Sequence, residues 1–123
     1  ITGANTGLGF EAAKHMATLN PKKIILLVGL KQELKLLSMT LGKMSNVEMH
    51  WNSCRLFKRP LISQEVAEDF KYDKIDILLN NAGIMALPER QETVQGFEMQ
   101  FGVNHIGHFV LTNLLLSKIK AAK

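Results

Sequence analysis

The sequence is poor in cysteine and in long apolar runs, and both absences exclude classes of protein. A single cysteine, Cys54, leaves no partner for an internal disulfide and no set of thiolates for a multi-cysteine zinc site. The longest uninterrupted apolar stretches, such as residues 24–28, are far shorter than the roughly 20 residues that a membrane-spanning helix needs. We therefore expect no metal centre, no transmembrane segment in this chain and a reducing, cytoplasmic location.

Aromatic residues are also scarce, and the basic side chains do not cluster. The 15 Lys and Arg residues are scattered among 11 acidic ones and are not interleaved with aromatic residues, as they often are on a nucleic-acid surface. The net charge of +4 suits a small anionic ligand about as well as a polyanion. We expect no nucleic-acid partner.

Short aliphatic runs alternate with helical patterns along the chain. The runs at 24–28 and 75–79 predict buried strands, and residues 46–51 predict a further short strand. Helices are predicted at 9–19, 32–43, 63–71 and 96–118. Strands that alternate with helices build βαβ units around a parallel sheet, so we expect an α/β protein in which residues 1–2 end a first strand.

Glycines crowd the first turn of the chain, TGANTGLG at residues 2–9. Glycine permits positive φ angles and lets a ligand approach the backbone without meeting a Cβ. The helix start that follows adds unpaired N–H groups and a partial positive charge, which suit a pyrophosphate. A phosphate loop would need Lys and Ser/Thr where Leu8 and Gly9 stand, which argues against a nucleotide triphosphatase. A glycine-rich turn without a ligand is the alternative.

A second turn, Asn80-Asn81-Ala82-Gly83, follows the predicted strand at 75–79. Ligands of parallel sheets bind beyond the carboxyl ends of the strands, so both turns are expected at the same edge. Ala82 and Gly83 would let another molecule lie close to the backbone, and the asparagines can pair with strand-end amides and carbonyls. An Asx turn that leaves a strand is the alternative.

The predicted helix at 96–118 carries a stripe with one polar residue of special interest. The stripe consists of residues three or four positions apart: Phe97, Phe101, Asn104, His108, Leu111 and Leu115. Asn104 is therefore expected on the buried face, where its amide needs partners. A core asparagine that merely stabilises a kink is the alternative, and His105 and His108 are expected to be packing or surface residues rather than metal ligands.

Three motifs together, TGANTGLG at 2–9, NNAG at 80–83 and GFEMQFGVNHIGHFVLTNLLL at 96–116, resemble the short-chain dehydrogenase/reductase family and its retinol-dehydrogenase-like branch. The resemblance implies a Rossmann-type, doubly wound parallel sheet, NAD(P)(H) and hydride transfer between an alcohol and a carbonyl. It implies that Asn104 belongs to a catalytic tetrad and fixes a water of a proton relay at a helix irregularity. The expected cofactor contacts in the two turns are Gly3, Asn5, Thr6, Gly7, Leu8, Gly9, Asn81, Ala82 and Gly83.

The sequence departs from the family in three places. Its one tyrosine, Tyr72, is followed four residues later by Asp76, so the family's Tyr-x-x-x-Lys pair and the Ser that acts with it are missing. The end of the second strand carries Lys31 and no acidic residue, which favours NADP, with NAD as the alternative. The block at 50–62 lacks the family's aspartate-leucine step, for which a gene-model error and local drift are both open explanations.

These observations predict one partial NAD(P)-binding domain over residues 1–123, cut at both ends and inactive by itself. The intact protein is expected to be an oxidoreductase that acts on a small alcohol or carbonyl compound and forms a homo-oligomer. The alternatives are a non-catalytic nucleotide-binding or interaction module and a gene product without a stable fold.

Overall fold

The structure is a computed structural model, and it describes residues 1–28, 47–51 and 66–122. The described residues form two compact units, one of residues 1–28, 47–51 and 79–82 and one of residues 66–78 and 83–122. The predicted helix at 32–43, Lys31 and most of the block at 50–62 lie outside the described residues.

The first unit contains helix α1 (Gly7–Thr18) and strands β1 (Ile24–Val28) and β2 (Val47–Trp51). The predicted strand at 24–28 is confirmed at both ends, and the predictions for 9–19 and 46–51 are confirmed to within two residues. The two strands run parallel, with Ile24 opposite Val47. Parallel pairing is what a βαβ arrangement requires.

Residues 1–3 lie on the side of β1 that β2 does not occupy. Thr2 forms a parallel bridge with Leu27, and the Gly3 N–H donates to the Leu27 carbonyl at 2.9 Å. The Thr2 N–H points the other way and donates to the carbonyl of Leu79 at 3.0 Å. The spatial order is therefore β2, β1 and residues 1–3, with the carbonyl of Leu79 on the far side of Thr2.

A small aliphatic core holds the first unit together. Leu26 and Val28 of β1 have no exposed surface, and Ala13 and Ala17 of α1 are buried in the same cluster. Alanine at these two buried positions lets the helix backbone lie close to the strand. The continuous aliphatic run of β1 is thus explained by burial, as the sequence predicted.

The predicted strand at 75–79 is wrong, because these residues form no β-ladder. Ile75 is buried and its N–H donates to the carbonyl of Lys118 at 3.0 Å, whereas Ile77 is 68% exposed. An aliphatic run becomes a strand only where an extended neighbour supplies ladder hydrogen bonds. Of the helix predicted at 63–71, the described part is helical only at residues 66–68.

The long helix predicted at 96–118 is interrupted. It consists of α2 (Met99–Phe101), a π-helix (Gly102–Gly107), α3 (His108–Leu114) and α4 (Leu116–Lys120). The π-helix is a wider turn whose hydrogen bonds join residues five apart. The predicted continuous α-helical period is therefore wrong across residues 102–107.

The wider turn also moves the buried stripe. The buried residues of this stretch are Met99, Gly102, Val103, Gly107, His108, Leu111 and Leu115. Five of them recur every four positions, namely Met99, Val103, Gly107, Leu111 and Leu115. In a regular α-helix, residues four positions apart are displaced by about 40° around the helix axis, so the first and last of these five residues would differ by about 160°. A wider turn reduces that difference. Phe97 and Phe101, which we expected in the core, are exposed at 38% and 51%.

Candidate functional site

The glycine turn before α1 is shaped by positive φ angles and by close backbone contact. Gly3 and Gly7 have φ angles of +63° and +55°, a region that side chains rarely adopt. A Cβ on Gly3 would lie 2.7 Å from the Cα of Ala82, whereas a Cβ on Gly7 would meet nothing within 4 Å. Gly3 is therefore needed for conformation and for space, and Gly7 for conformation alone.

Asn81 ties the second turn to the first. Its Nδ2 donates to the carbonyls of Thr2 and Gly3, each at 3.1 Å. A Cβ on Gly9 would collide with the same Nδ2 and would lie 2.5 Å from the Gly3 carbonyl oxygen. The first unit thus brings together Gly3, Gly9, Asn81 and Ala82, all of which the sequence had marked as candidate site residues.

The hydroxyl of Thr2 is a functional group that the sequence reasoning missed. Thr2 is 1% exposed, and its Oγ1 accepts the N–H groups of Asn81 and Ala82, both at 2.9 Å. A threonine next to the glycine turn and at the end of a buried strand was the available signal, because a buried hydroxyl must find partners. Thr2 therefore holds the backbone of the second turn in place.

The start of α1 is open to a ligand. Thr6 is the N-cap residue, but its side chain makes no capping hydrogen bond, and the first turn carries no acidic residue. The first helical hydrogen bond runs from the Phe10 N–H to the Thr6 carbonyl at 3.3 Å. The backbone N–H groups of residues 7–9 therefore have no acceptor within the helix. Thr6, Gly7 and Leu8 are exposed, with Leu8 at 84%, and Asn5 is half-buried.

In the second unit, the oxygen and the nitrogen of the Asn104 side-chain amide both form hydrogen bonds with the backbone of Ile84. The Ile84 N–H donates to Oδ1 at 2.9 Å, and Nδ2 donates to the Ile84 carbonyl at 2.8 Å. A Cβ on Gly83 would lie 3.4 Å from Oδ1, tighter than most such contacts. The expected buried position of Asn104 is wrong, since the residue is exposed, but the expected need for partners is confirmed.

The helix irregularity that the resemblance implies is present as the π-helix, which contains Asn104. Such π-turns are frequent at functional sites. Gly102 opens this turn against Thr93, where a Cβ would lie 2.5 Å from Cγ2. The preceding helix start is capped by Glu98, whose carboxylate accepts the N–H groups of Gln100 and Phe101.

The two histidines of this helix occupy the positions that the sequence predicted for packing or surface residues. His105 is exposed and stacks on Phe101 with ring centroids 5.2 Å apart. His108 is 8% exposed, and burial lowers the pKa of its imidazole. Over the described ranges, no group of three His, Cys, Asp or Glu residues could hold a metal ion.

No described helix is both long enough and apolar enough to cross a bilayer. The remaining candidate cofactor residue, Lys31, lies outside the described residues.

The chain is similar in sequence to several known dehydrogenases. Human retinol dehydrogenase 13 is 38% identical over 130 residues, covering 99% of this chain. Human polyprenol dehydrogenase is 38% identical over 122 residues, covering 98% of this chain. The chain spans only 37% and 36% of the lengths of these two relatives.

Solved structures agree with the arrangement of strands and helices. An uncharacterized protein from Mycobacterium paratuberculosis superposes with a TM-score of 0.78 at 36% identity, covering 96% of this chain and 41% of its own. A short-chain dehydrogenase from Streptomyces avermitilis superposes with a TM-score of 0.71 at 24% identity, covering 94% and 42%, which supports the fold alone.

The family match extends over the whole chain. The short chain dehydrogenase profile matches residues 1–123, and it agrees with the Rossmann-type α/β arrangement of the first unit. The glycine turn, the asparagine turn and the Asn104 helix therefore belong to one family pattern, and the chain is a member of the short-chain dehydrogenase family.

Proposed function

We propose that the protein is an NAD(P)(H)-dependent oxidoreductase that transfers hydride between an alcohol and a carbonyl compound. The observation that carries the proposal is the open start of α1, where glycines and amides without helical acceptors stand together with no acidic side chain. The similar proteins named retinol dehydrogenase and polyprenol dehydrogenase support an alcohol or carbonyl substrate.

The residues at the start of α1 fit the pyrophosphate of a dinucleotide. The exposed backbone between Thr6 and Leu8 offers N–H donors at the positive end of the helix dipole. Asn5 and Gly9 flank these donors, and Gly9 leaves the space that Asn81 needs to hold the turn. We place the pyrophosphate against Asn5 to Gly9, with Gly3 shaping the turn.

The asparagine turn is proposed to line the adenosine ribose. The Nδ2 of Asn81 is engaged with the carbonyls of Thr2 and Gly3, so this side chain orients the turn. Ala82 is small and half-buried and Gly83 is exposed, which leaves their backbones accessible to a ligand. Lys31 is proposed to meet the 2′-phosphate of NADP, which makes NADP the preferred cofactor and NAD the alternative.

Asn104 is proposed to serve the proton relay. When bound, the nicotinamide cofactor supplies or accepts the hydride, and a proton must move to or from the substrate oxygen. The π-helix and the two hydrogen bonds to Ile84 hold Asn104 in one orientation, as an ordered relay requires. Because this sequence has no Tyr-x-x-x-Lys, we expect this chain alone to bind the cofactor without turnover.

We propose further that the residues belong to one doubly wound domain, that the intact protein is cytoplasmic and that it forms a homo-oligomer with no nucleic-acid partner. The single cysteine and the scattered basic residues support the cellular location and the absence of nucleic acid, respectively.

The test is a titration of the purified chain with NADPH and with NADH, followed by thermal melting and by fluorescence of its only tryptophan, Trp51. Ligand at 100 times its Kd should stabilise the fold by about 2.7 kcal/mol, which raises Tm by roughly 10 °C. A larger shift with NADPH supports the NADP preference. Equal shifts overturn the preference only, and a cooperative melt that neither ligand moves overturns the proposed function.

A further inference from the structure

His108 makes a contact that its predicted packing role does not require. Its Nδ1 lies 3.1 Å from the backbone carbonyl oxygen of Asn104. A carbonyl can only accept a hydrogen bond, so the ring nitrogen must carry a proton and donate it. Burial lowers the pKa of this imidazole, which favours the neutral ring, and the neutral ring must then be the Nδ1–H tautomer.

The contact engages a carbonyl of the helical ladder. In a regular α-helix, the carbonyl of Asn104 would accept the backbone N–H of His108, four residues later. In this structure the His108 N–H donates to the carbonyl of His105 instead. A side chain that enters the ladder in this way is a recognised cause of helix irregularity.

The position of the contact links it to the candidate site. His108 directly follows the π-helix as its C-cap residue, and Asn104 lies within that helix. The backbone carbonyl of Asn104 is held by His108, while the side-chain amide of the same residue pairs with both backbone groups of Ile84. Both ends of Asn104 are thus restrained by named hydrogen bonds.

We propose that His108 is a positioning residue for Asn104: its imidazole secures the π-turn in which the Asn104 amide meets the backbone of Ile84. His108, Asn104 and Ile84 all belong to the second unit. The consequence of this positioning for catalysis rests on the proposed function, because it is Asn104 that would serve the proton relay.

The chain supplies a matched control. Asn113 Nδ2 donates to the carbonyl of Phe109 at 2.8 Å, again four residues back, but inside the regular helix α3. This contact shows that an asparagine can make the i to i−4 bond that we assign to His108. His108→Asn is therefore a rescue variant, His108→Phe removes the donor while keeping a ring, and Asn113→Ala removes the control bond.

The experiment measures the Ile84 amide and the His108 ring by ¹⁵N NMR in the full chain. We expect the Nδ1–H tautomer in the parent protein, and Ile84 amide exchange five- to tenfold faster in His108→Phe. Exchange should be near the parent rate in His108→Asn and in Asn113→Ala. In the intact enzyme, turnover should fall in His108→Phe and stay near the parent value in His108→Asn and in Asn113→Ala.

Two results would overturn the inference: an Nε2–H ring in the parent protein, or equal Ile84 protection in the parent and His108→Phe proteins. If His108→Phe does not fold, the ring tautomer and the behaviour of His108→Asn still decide. Cofactor titration reports on the glycine turn separately. A chain that ignores NADPH but shows the expected Ile84 pattern would overturn the proposed function and leave the positioning role standing.

Discussion

The helices α1 and α2 begin in opposite ways. At α1, Thr6 offers no side-chain cap, the first turn has no acid and the leading residues are exposed. At α2, the carboxylate of Glu98 accepts the N–H groups of Gln100 at 2.9 Å and Phe101 at 2.8 Å. Only one of these two helix starts is satisfied by the protein's own side chain.

The difference separates a structural helix start from one suited to a ligand. Unpaired N–H groups and the positive end of the helix dipole attract an anion. A capping carboxylate from the protein supplies both the hydrogen-bond acceptor and the negative charge, so no ligand is needed there. The glycines add a second distinction, because Gly3 and Gly7 at the first start adopt positive φ angles. Three sets of variants test whether the two helix starts differ in this way.

The largest effect is expected from Gly3→Ala. The new Cβ would lie 2.7 Å from the backbone of Ala82 at a φ of +63°, so we expect a loss of about 3 kcal/mol in the free energy of unfolding. Gly7→Ala is the control, because it shares the positive φ but meets nothing within 4 Å, and it should cost about 1 kcal/mol. Urea denaturation measures both, and equal losses would show that the contact with Ala82 does not matter.

An intermediate effect is expected from Thr6→Asp, which would give α1 a cap like that of α2. The new carboxylate should stabilise the free protein by about 1 kcal/mol and weaken NADPH binding about tenfold, because it would occupy the amides and repel the phosphates. Thr6→Asn caps the helix without charge and should lose less affinity. Unchanged NADPH affinity in Thr6→Asp would place the pyrophosphate elsewhere.

The smallest effect is expected from Glu98→Gln and lies in its pH dependence. Hydrogen bonds from the Gln100 and Phe101 backbones lower the pKa of the Glu98 carboxyl below its usual value of 4.5. A lowered native pKa means that the stabilisation is present above that usual value and is lost as the pH falls through the native pKa.

The measurement for Glu98→Gln is the difference in stability between the two proteins at pH 7 and at successively lower pH. The parent protein should be the more stable at neutral pH, and the difference in stability should shrink as the pH falls. The other carboxyls are the same in both proteins, so their titration cancels in this difference. A difference independent of pH would mean that the charge of Glu98 does not contribute to the cap.

Much of the first unit was predictable because its signals are local in sequence. The aliphatic run at 24–28 is a strand, the glycine spacing before α1 forms the expected turn, and Asn81 pairs with strand-end backbone as expected of a polar residue there. Thr2 was missed, since nothing in its neighbourhood shows that the partners of its hydroxyl lie 79 and 80 residues away.

The second unit was predicted less well because its geometry depends on contacts between distant segments. The run at 75–79 has the composition of a strand but forms no ladder, and Asn104 was assigned to the wrong face because an uninterrupted 3.6-residue period was assumed. The π-helix shifts the phase of every residue around it. Its signal was chemical rather than periodic: a polar amide and two histidines within residues 101–111, which otherwise contain only apolar residues and glycine.

The family pattern, the strands of the first unit and the conformations that only glycine adopts readily could be read from residue type and from neighbours a few positions away. Long-range contacts decided which aliphatic run pairs in the sheet and which backbone groups Thr2, Asn81 and Asn104 bind. Those outcomes depend on hydrogen bonds between segments 20 to 80 residues apart, and the energy of such bonds exists only once the segments have come together.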